Sequence, residues 1–399
     1  MAWSAVSVPV VTTRSYLDHA STSPLRPEGR AALVAALDVV GDPGRIHAEG
    51  LRTRVMVEEA REQIADLLGS RAREVVFTSG ATEAIAAACW GSSARGAHQV
   101  VPAVEHSAVR QAAARHGEVT TVPVDALGRV DVAALLAAVR DDTALVHLQW
   151  GNHEVGTVQP VAEAVAVCRE RGVLVHVDAA QAVGRVPIDF RALDADLMSV
   201  SAHKVGGPAG VGALLVRRGL RLPPLLVGGD QERARRAGLE NVAAFASFGA
   251  VAAALGADGG ARMVAEAGDQ RRLTDRVLDA IGATAGAGPA PGLDGLVPYG
   301  DPVRRLPHIV CLGVEGVEPQ AVLLGLDRAG VAAHSGSACS SESLEPSPVL
   351  EAMGVDAHHS LRISVGWSTT DADIDRLLAA LPRVLADLRA LTRAAQGGA

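Results

Sequence analysis

The sequence predicts an α/β protein: a large domain built on a mostly parallel β-sheet with helices on both faces, and a smaller α+β domain. Two observations predict it. Between residues 74 and 220, short and almost continuously apolar runs alternate with helical patterns, as expected for strands buried on both faces between crossover helices. After about residue 256 the alternation stops, and Gly- and Pro-rich loops separate fewer elements. We place the large domain at residues 14–257 and the smaller one at residues 1–13 together with 258–399.

The elements follow in order. EVVFTSG (74–80) reads as a strand and ATEAIAAACW as a helix; QVVPAV (99–104) as a strand and SAVRQAAARHG as a helix. VTTVPVD and DVAALLAAVR form the next pair, then TALVHLQWG (143–151) and PVAEAVAVCRERG. VLVHVDAAQ (173–181), DLMSVSAHK (196–204) and GALLVRR (212–218) are three more strands. Polar residues and glycines fall just after the strands, at the edge where open α/β sheets bind ligands. Beyond 256, GADGG begins a linker that leads into a helix, AGAGPAPGLDG is a loop, HIVCLGV and LRISVGW are strands, and helices lie near 319–329 and 371–394.

Composition excludes several classes. Apolar residues make up 48% and aromatics 3%, so a core of Ala, Val and Leu forms and disorder is excluded. The net charge of −8, with arginines spread along the chain, gives no basic stripe for nucleic acid. No uninterrupted apolar run reaches the roughly 18 residues of a membrane span, and the N-terminus lacks the basic region of a signal peptide. Cys89, Cys168, Cys311 and Cys339 form no C-x-x-C pair, which suggests neither zinc nor a disulfide framework. No metal site and a cytoplasmic, reducing location are expected.

Lys204 is the only lysine; the other 36 of the 37 basic residues are arginine. It ends an apolar strand and enters a Gly/Pro turn. Burial there lowers an amine's pKa, and a neutral amine attacks an aldehyde where a guanidinium cannot. An aldehyde-binding lysine suggests pyridoxal 5′-phosphate (PLP), which also needs an acid facing its ring nitrogen, a phosphate cradle and a stacking partner. Asp178, closing HVDAAQ, is the candidate acid. TSGATEA (78–84), with Thr82 near a helix N-terminus, is the candidate cradle. His106, in EHSAV, is the candidate stacking ring. Each also has an ordinary reading, as a turn Asp, a helix cap or a structural histidine, and Lys204 itself could be a survivor of compositional bias.

The ordered set resembles the PLP-dependent cysteine desulfurases of aminotransferase class V, of the nitrogen-fixation and iron–sulfur-cluster type. It runs from YLDHASTSPLRPE (16–28) through TSGATEA, EHSAV, GNHEVGTVQP (151–160), HVDAAQAVGRVPIDF, SAHKVGGPAGVGALLVRR, GGDQERARRAG (228–238) and HSGSACSSESLEPSPVL (334–350) to LRISVGWSTTDADID (361–375). The resemblance implies PLP fold type I and a homodimer. It implies that Lys204 bonds the cofactor, that Asp178 pairs with the pyridine nitrogen, and that Gln181 and Asn152 reach its phenolic side. His106 stacks on the ring and exchanges protons, Ala81, Thr82, Ser201 and His203 surround the phosphate, and Arg362, assisted by Asn152, holds the substrate carboxylate. Cys339, set among Ser and Gly on what reads as a mobile loop, is implied to take sulfur from L-cysteine, leaving L-alanine, and to pass it to an acceptor protein. Two departures stand out: Leu239 where the family has a phosphate-reaching Thr, and Asn152-His153-Glu154 where it has Asn-Asn-Glu. A selenocysteine lyase and a weakly catalytic scaffold subunit are the competing readings.

Overall fold

The computed structural model describes residues 14–283, 288–335 and 346–397. The alternating segment forms a seven-stranded sheet of β1 (Val75–Thr78), β2 (His98–Pro102), β3 (Glu118–Val122), β4 (Thr143–Gln149), β5 (Leu174–Asp178), β6 (Leu197–Ser201) and β7 (Gly212–Val216). Its order is β1-β7-β6-β5-β4-β2-β3. Only β7 runs against its neighbours, β1 and β6; the other pairs are parallel. The chain between β6 and β7 is too short for the crossover that a parallel return needs. Strand β3 is the exposed edge, hence its threonines.

Successive side chains point to opposite faces of the sheet. Val146, Val175, Met198 and Leu215 enter a core with Ile64, Phe77 and Phe248, contributed partly by the helices Ala48–Leu67 and Val242–Ala280. Their neighbours Leu145, Leu174, Leu197 and Leu214 enter a second layer against Ala84 and Ala88 of the helix Ala81–Ser92. Continuous apolarity in the sequence therefore reflects burial on both faces.

The helix Val242–Ala280 has the length and apolar composition of a membrane span. Non-helical backbone at residues 257–260 cuts it, however, and Phe245, Phe248, Val251 and Leu255 are buried in the sheet core. The sequence reading had only a linker and a helix from 256 onward. The break does fall at ADGG, and the preceding helix starts at Val242, capped by Asn241. Past the break, Leu273 and Val277 join Leu17, Leu312, Ile363 and Leu381 in a separate core. That core covers an antiparallel sheet of β8 (Leu296–Tyr299), β9 (Ile309–Val314) and β10 (Ser360–Ser364), ordered β10-β9-β8. Arg362 on β10 thereby reaches the C-terminal edge of the large sheet.

Candidate active site

The C-terminal ends of β1, β4, β5 and β6, with the segment after β2, surround a cavity of about 470 Å³. Ala81, Thr82, His106, Asp178, Gln181, Ser201, His203, Lys204 and Arg362 all line it. The structure thus brings together nine of the ten predicted site residues that fall in its described part. Asn152 is not in the wall, and Cys339 lies outside the described residues.

Lys204 follows β6 in a short 3-10 turn. Its carbonyl accepts from Ser23 Oγ at 3.0 Å and from Arg185 Nη2 at 2.5 Å, which anchors the backbone beneath the amine. Gly206 then turns the chain at φ +86°, and a Cβ there would stand 2.6 Å from Arg26 Cγ. Burial pushes the Lys204 amine down to about 8; Asp178 opposes this, while Arg362 and Arg185 add to it. Asp178 ends β5. Its Oδ1 accepts from Ala180 N at 3.1 Å and Ser199 Oγ at 3.0 Å, which leaves Oδ2 for a ligand.

The turn after β1 is set by close backbone approach. A Cβ on Gly212 would lie 2.7 Å from Gly80 Cα, so β7 presses against the turn that starts the helix Ala81–Ser92. Glu83 reaches back to Ser79 N at 2.8 Å and is held by Arg236 through Nε at 2.9 Å and Nη2 at 3.2 Å. Facing this turn, Ser201 Oγ is buried with no hydrogen-bond partner. A buried hydroxyl without a partner is costly, and a ligand oxygen would satisfy it.

His106 caps the helix Ser107–His116, with Nδ1 accepting from Ala108 N at 3.1 Å. The proton of the neutral ring is therefore on Nε2. Burial, then His153 and Lys204, lower its pKa to about 3. Burial, then Lys204 and Arg185, lower His203 to about 4. Gln181 donates to Ala20 O at 2.8 Å and meets His308 Nε2 at 3.1 Å, so it sits on the wall with its orientation fixed.

Two findings revise the sequence reading. Asn152 is committed to its own turn: Oδ1 accepts from Glu154 N and Val155 N, both at 2.8 Å, and Nδ2 donates to Val104 O at 3.2 Å. The neighbouring His153 is the residue in the cavity wall. The sequence signal was there, as the middle residue of NHE, but it was read as a departure and not as a site residue. Arg362, almost fully buried, donates from Nη1 to the His153 carbonyl and from Nη2 to Asp18 and Ser21, each at 2.9 Å. Its Nε has no partner, so the guanidinium is pre-positioned and keeps donor capacity. Glu105, unmentioned in the sequence reading, is fully buried behind His106. Its Oε1 accepts from Gln149 N at 2.5 Å, and burial followed by the Asp178 charge pushes it up to about 8.

Cys89, Cys168 and Cys311 are buried and unpaired. Burial raises the first two thiols to about 12 and about 11, and the third further still. None is a competent thiolate nucleophile.

A lysine at the sheet edge, a carboxylate in the same wall, an unsatisfied hydroxyl at the end of β6 and a buried arginine could hold an anionic, aldehyde-bearing cofactor and an amino acid. Known proteins agree. The aminotransferase class-V family profile matches residues 15–377. Cysteine desulfurase IscS 1 of Archaeoglobus fulgidus is 38% identical over 389 residues, covering 94% of this chain and 98% of that protein. The IscS-like cysteine desulfurase of Mycobacterium tuberculosis is 40% identical over 402 residues, covering 96% and 99%. Among solved structures, the NifS-like protein from Rickettsia africae superposes with a TM-score of 0.83 at 27% identity, over 93% of this chain and 99% of that one. With the fold, the lysine edge and these full-length likenesses in accord, the chain belongs to the aminotransferase class-V family, among its cysteine desulfurases.

Proposed function

We propose that this protein takes sulfur from L-cysteine with the help of pyridoxal 5′-phosphate, leaves L-alanine, and passes the sulfur through Cys339 to an acceptor protein. The observation that carries this reading is Lys204: the chain's only lysine, at the sheet edge, with its amine lowered to about 8 opposite Asp178.

The residues fit the cofactor. Ser201 Oγ, which lacks a partner, lies in the same cavity wall as Thr82 and the start of the helix Ala81–Ser92, so a phosphate would gain donors there. Asp178 Oδ2 would hold a protonated ring nitrogen, and His106 offers a neutral ring face. When bound, PLP supplies an aldehyde for amines and a ring that draws electrons from the substrate's α-carbon.

The chain's own groups then divide the work. Lys204 Nζ would hold the cofactor's aldehyde, and its amine, when free, is the base placed to take the substrate's α-proton. Arg362, fixed by Asp18, Ser21 and the His153 carbonyl, receives the substrate carboxylate in a geometry suited to guanidinium. His106 Nε2 carries the proton that is exchanged with a thiol. Cys339 thiolate attacks the substrate sulfur and keeps it as a persulfide, and the β-carbon takes a proton to become the methyl of alanine.

The two separate apolar cores support a division of the chain near residue 257. Exposed Leu226, Val227 and Leu239, the first of which lines a groove of about 370 Å³ together with Leu220, Leu222 and Arg236, support a homodimer. Three unpaired buried cysteines suit a reducing cytoplasm.

Mass spectrometry after L-cysteine treatment tests the reading. A sulfur adduct on Cys339 with alanine in solution, both lost in Cys339→Ala, is expected. Alanine formed with no adduct on Cys339 would indicate a lyase, and a protein that stays colourless with added PLP would indicate a scaffold.

A further inference from the structure

His153 is a polar side chain of the cavity wall to which the reading above gives no task. Its ring meets that of His106 edge-on, with centroids 4.9 Å apart and planes at 69°. Its Nε2 stands 3.5 Å from Glu154 Oε1, and the other Glu154 oxygen accepts from Ser347 Oγ at 2.5 Å. That contact is too long for a hydrogen bond, but an acidic oxygen on this side favours the neutral imidazole tautomer with its proton on Nε2. Nδ1 is then an acceptor, and it is buried with no hydrogen-bond partner.

Two neighbours indicate what belongs there. His153, Lys204 and Arg362 line one cavity, and the two positive charges add to burial in holding the ring neutral. Its own carbonyl also holds Arg362 Nη1. An α-amino acid presents its amine and carboxylate on one carbon. With the carboxylate at Arg362 and the amine arriving at the Lys204 position, an amine N–H falls beside this ring. We infer that His153 is a substrate-contacting residue whose Nδ1 accepts a hydrogen bond from the amino group of the incoming amino acid.

The inference rests on the proposed desulfurase reading and deepens it by assigning the amine subsite. It differs from the sequence expectation, which gave substrate contact to Asn152.

A pair of variants of the PLP-loaded protein tests it. Asn places a polar atom where Nδ1 is, and Gln places one where Nε2 is. L-Alanine, which lacks the thiol, is the probe, followed through the absorbance of the bound cofactor. His153→Gln should raise the half-saturating L-alanine concentration on the order of tenfold, and His153→Asn should recover most of that loss, to within about threefold of wild type. KM for L-cysteine should follow the same order while kcat changes less. The inference is overturned if His153→Gln binds L-alanine like wild type, or if both variants lose binding equally. It is also overturned if both fail to fold or to hold PLP, since His153 is then a structural residue. A wild type that binds L-alanine but releases none from L-cysteine would sink the desulfurase reading and leave this subsite assignment standing.

Discussion

The charge state of Lys204 can be measured through its chemistry. A lysine in water, with a pKa near 10.4, is neutral at pH 7 in roughly 0.04% of molecules. With the amine lowered to about 8, the neutral fraction at pH 7 becomes about a tenth, an increase of roughly two hundred-fold in the reacting form. Only the neutral amine attacks an aldehyde. Cofactor-free protein mixed with PLP across pH 6 to 10 should therefore capture it at a rate that climbs about tenfold per pH unit and levels off near pH 8. Dividing by the rate per neutral amine of a lysine side chain in a short peptide cancels the titration of the cofactor itself. Borohydride trapping and peptide mapping then count the pyridoxyl group at Lys204.

Asp178→Asn gives the sign. The Asp178 carboxylate favours the ammonium form and works against burial, so removing it must move the levelling-off point below that of wild type. A profile that keeps climbing toward pH 10, or a bend that moves upward in Asp178→Asn, would refute the electrostatic account of this lysine. Arginine makes the complementary point, since it cannot be neutral at any of these pH values.

Other perturbations have defined outcomes. Lys204→Arg should fold with an unchanged melting temperature, hold no borohydride-fixed cofactor and release no alanine. Glu105 binds a proton in the folded state, between its ordinary carboxyl value of 4.5 and about 8, that the unfolded chain lacks. Stability therefore falls as pH rises through that window, and Glu105→Gln should melt above wild type at pH 9 with no gain at pH 5. Leu239→Thr, at an exposed position, should lower the dissociation constant for PLP about fivefold by adding a hydrogen bond across the proposed homodimer, as read by equilibrium dialysis. Arg61→Ala leaves the Glu232 carboxylate buried and unpaired and should cost about 3–5 kcal/mol in urea unfolding, whereas replacing both partners should cost less.

The large sheet was legible because its strands are apolar on both faces, and each run ends in residues that an apolar strand has no reason to carry. Asp178 closing a buried strand and Lys204 opening a glycine turn are of this kind. The helices Pro27–Leu37 and Ala48–Leu67 were not named. The second buries Arg61, which is 2% exposed, so a charged letter occupies a core position and blurs the apolar period. The helix from Val242 was missed for the opposite reason: its run of Ala, Val and Phe shows no polar face. His153 was hidden by its neighbour. Asn152 and His153 are both polar, and only the turn, closed by Asn152 Oδ1 on two backbone N–H groups, decides which of them faces the cavity. Cys339 was read from composition and from the family likeness, and it lies outside the described residues.

The segment GGDQERARRAG shows how a loop outside the cavity wall can govern the cradle inside it. Glu232, Arg233 and Ala234 have φ of 49°, 59° and 59°, left-handed backbone that costs such residues on the order of 1 kcal/mol or more each unless the surroundings hold it. The surroundings do hold it. Glu232 takes both Nη atoms of Arg61, at 2.6 and 2.7 Å, and also accepts from Phe77 N on β1 at 2.8 Å. Four residues on, Arg236 grips Glu83, whose carboxylate bonds Ser79 N. Burial opposes ionisation of Glu83, yet the bonds from Arg236 and Ser79 keep its pKa below the ordinary value. The loop is thus fastened to the strand before the Ser79–Gly80 turn and to the helix after it. Glu83 is an anion beside the turn proposed to seat a phosphate, and among the described residues Arg236 is the cation paired with it. The arginine that replaces lysine everywhere else in this chain is in this instance a requirement of the site, because a planar fork can hold one carboxylate through two bonds and a point charge cannot.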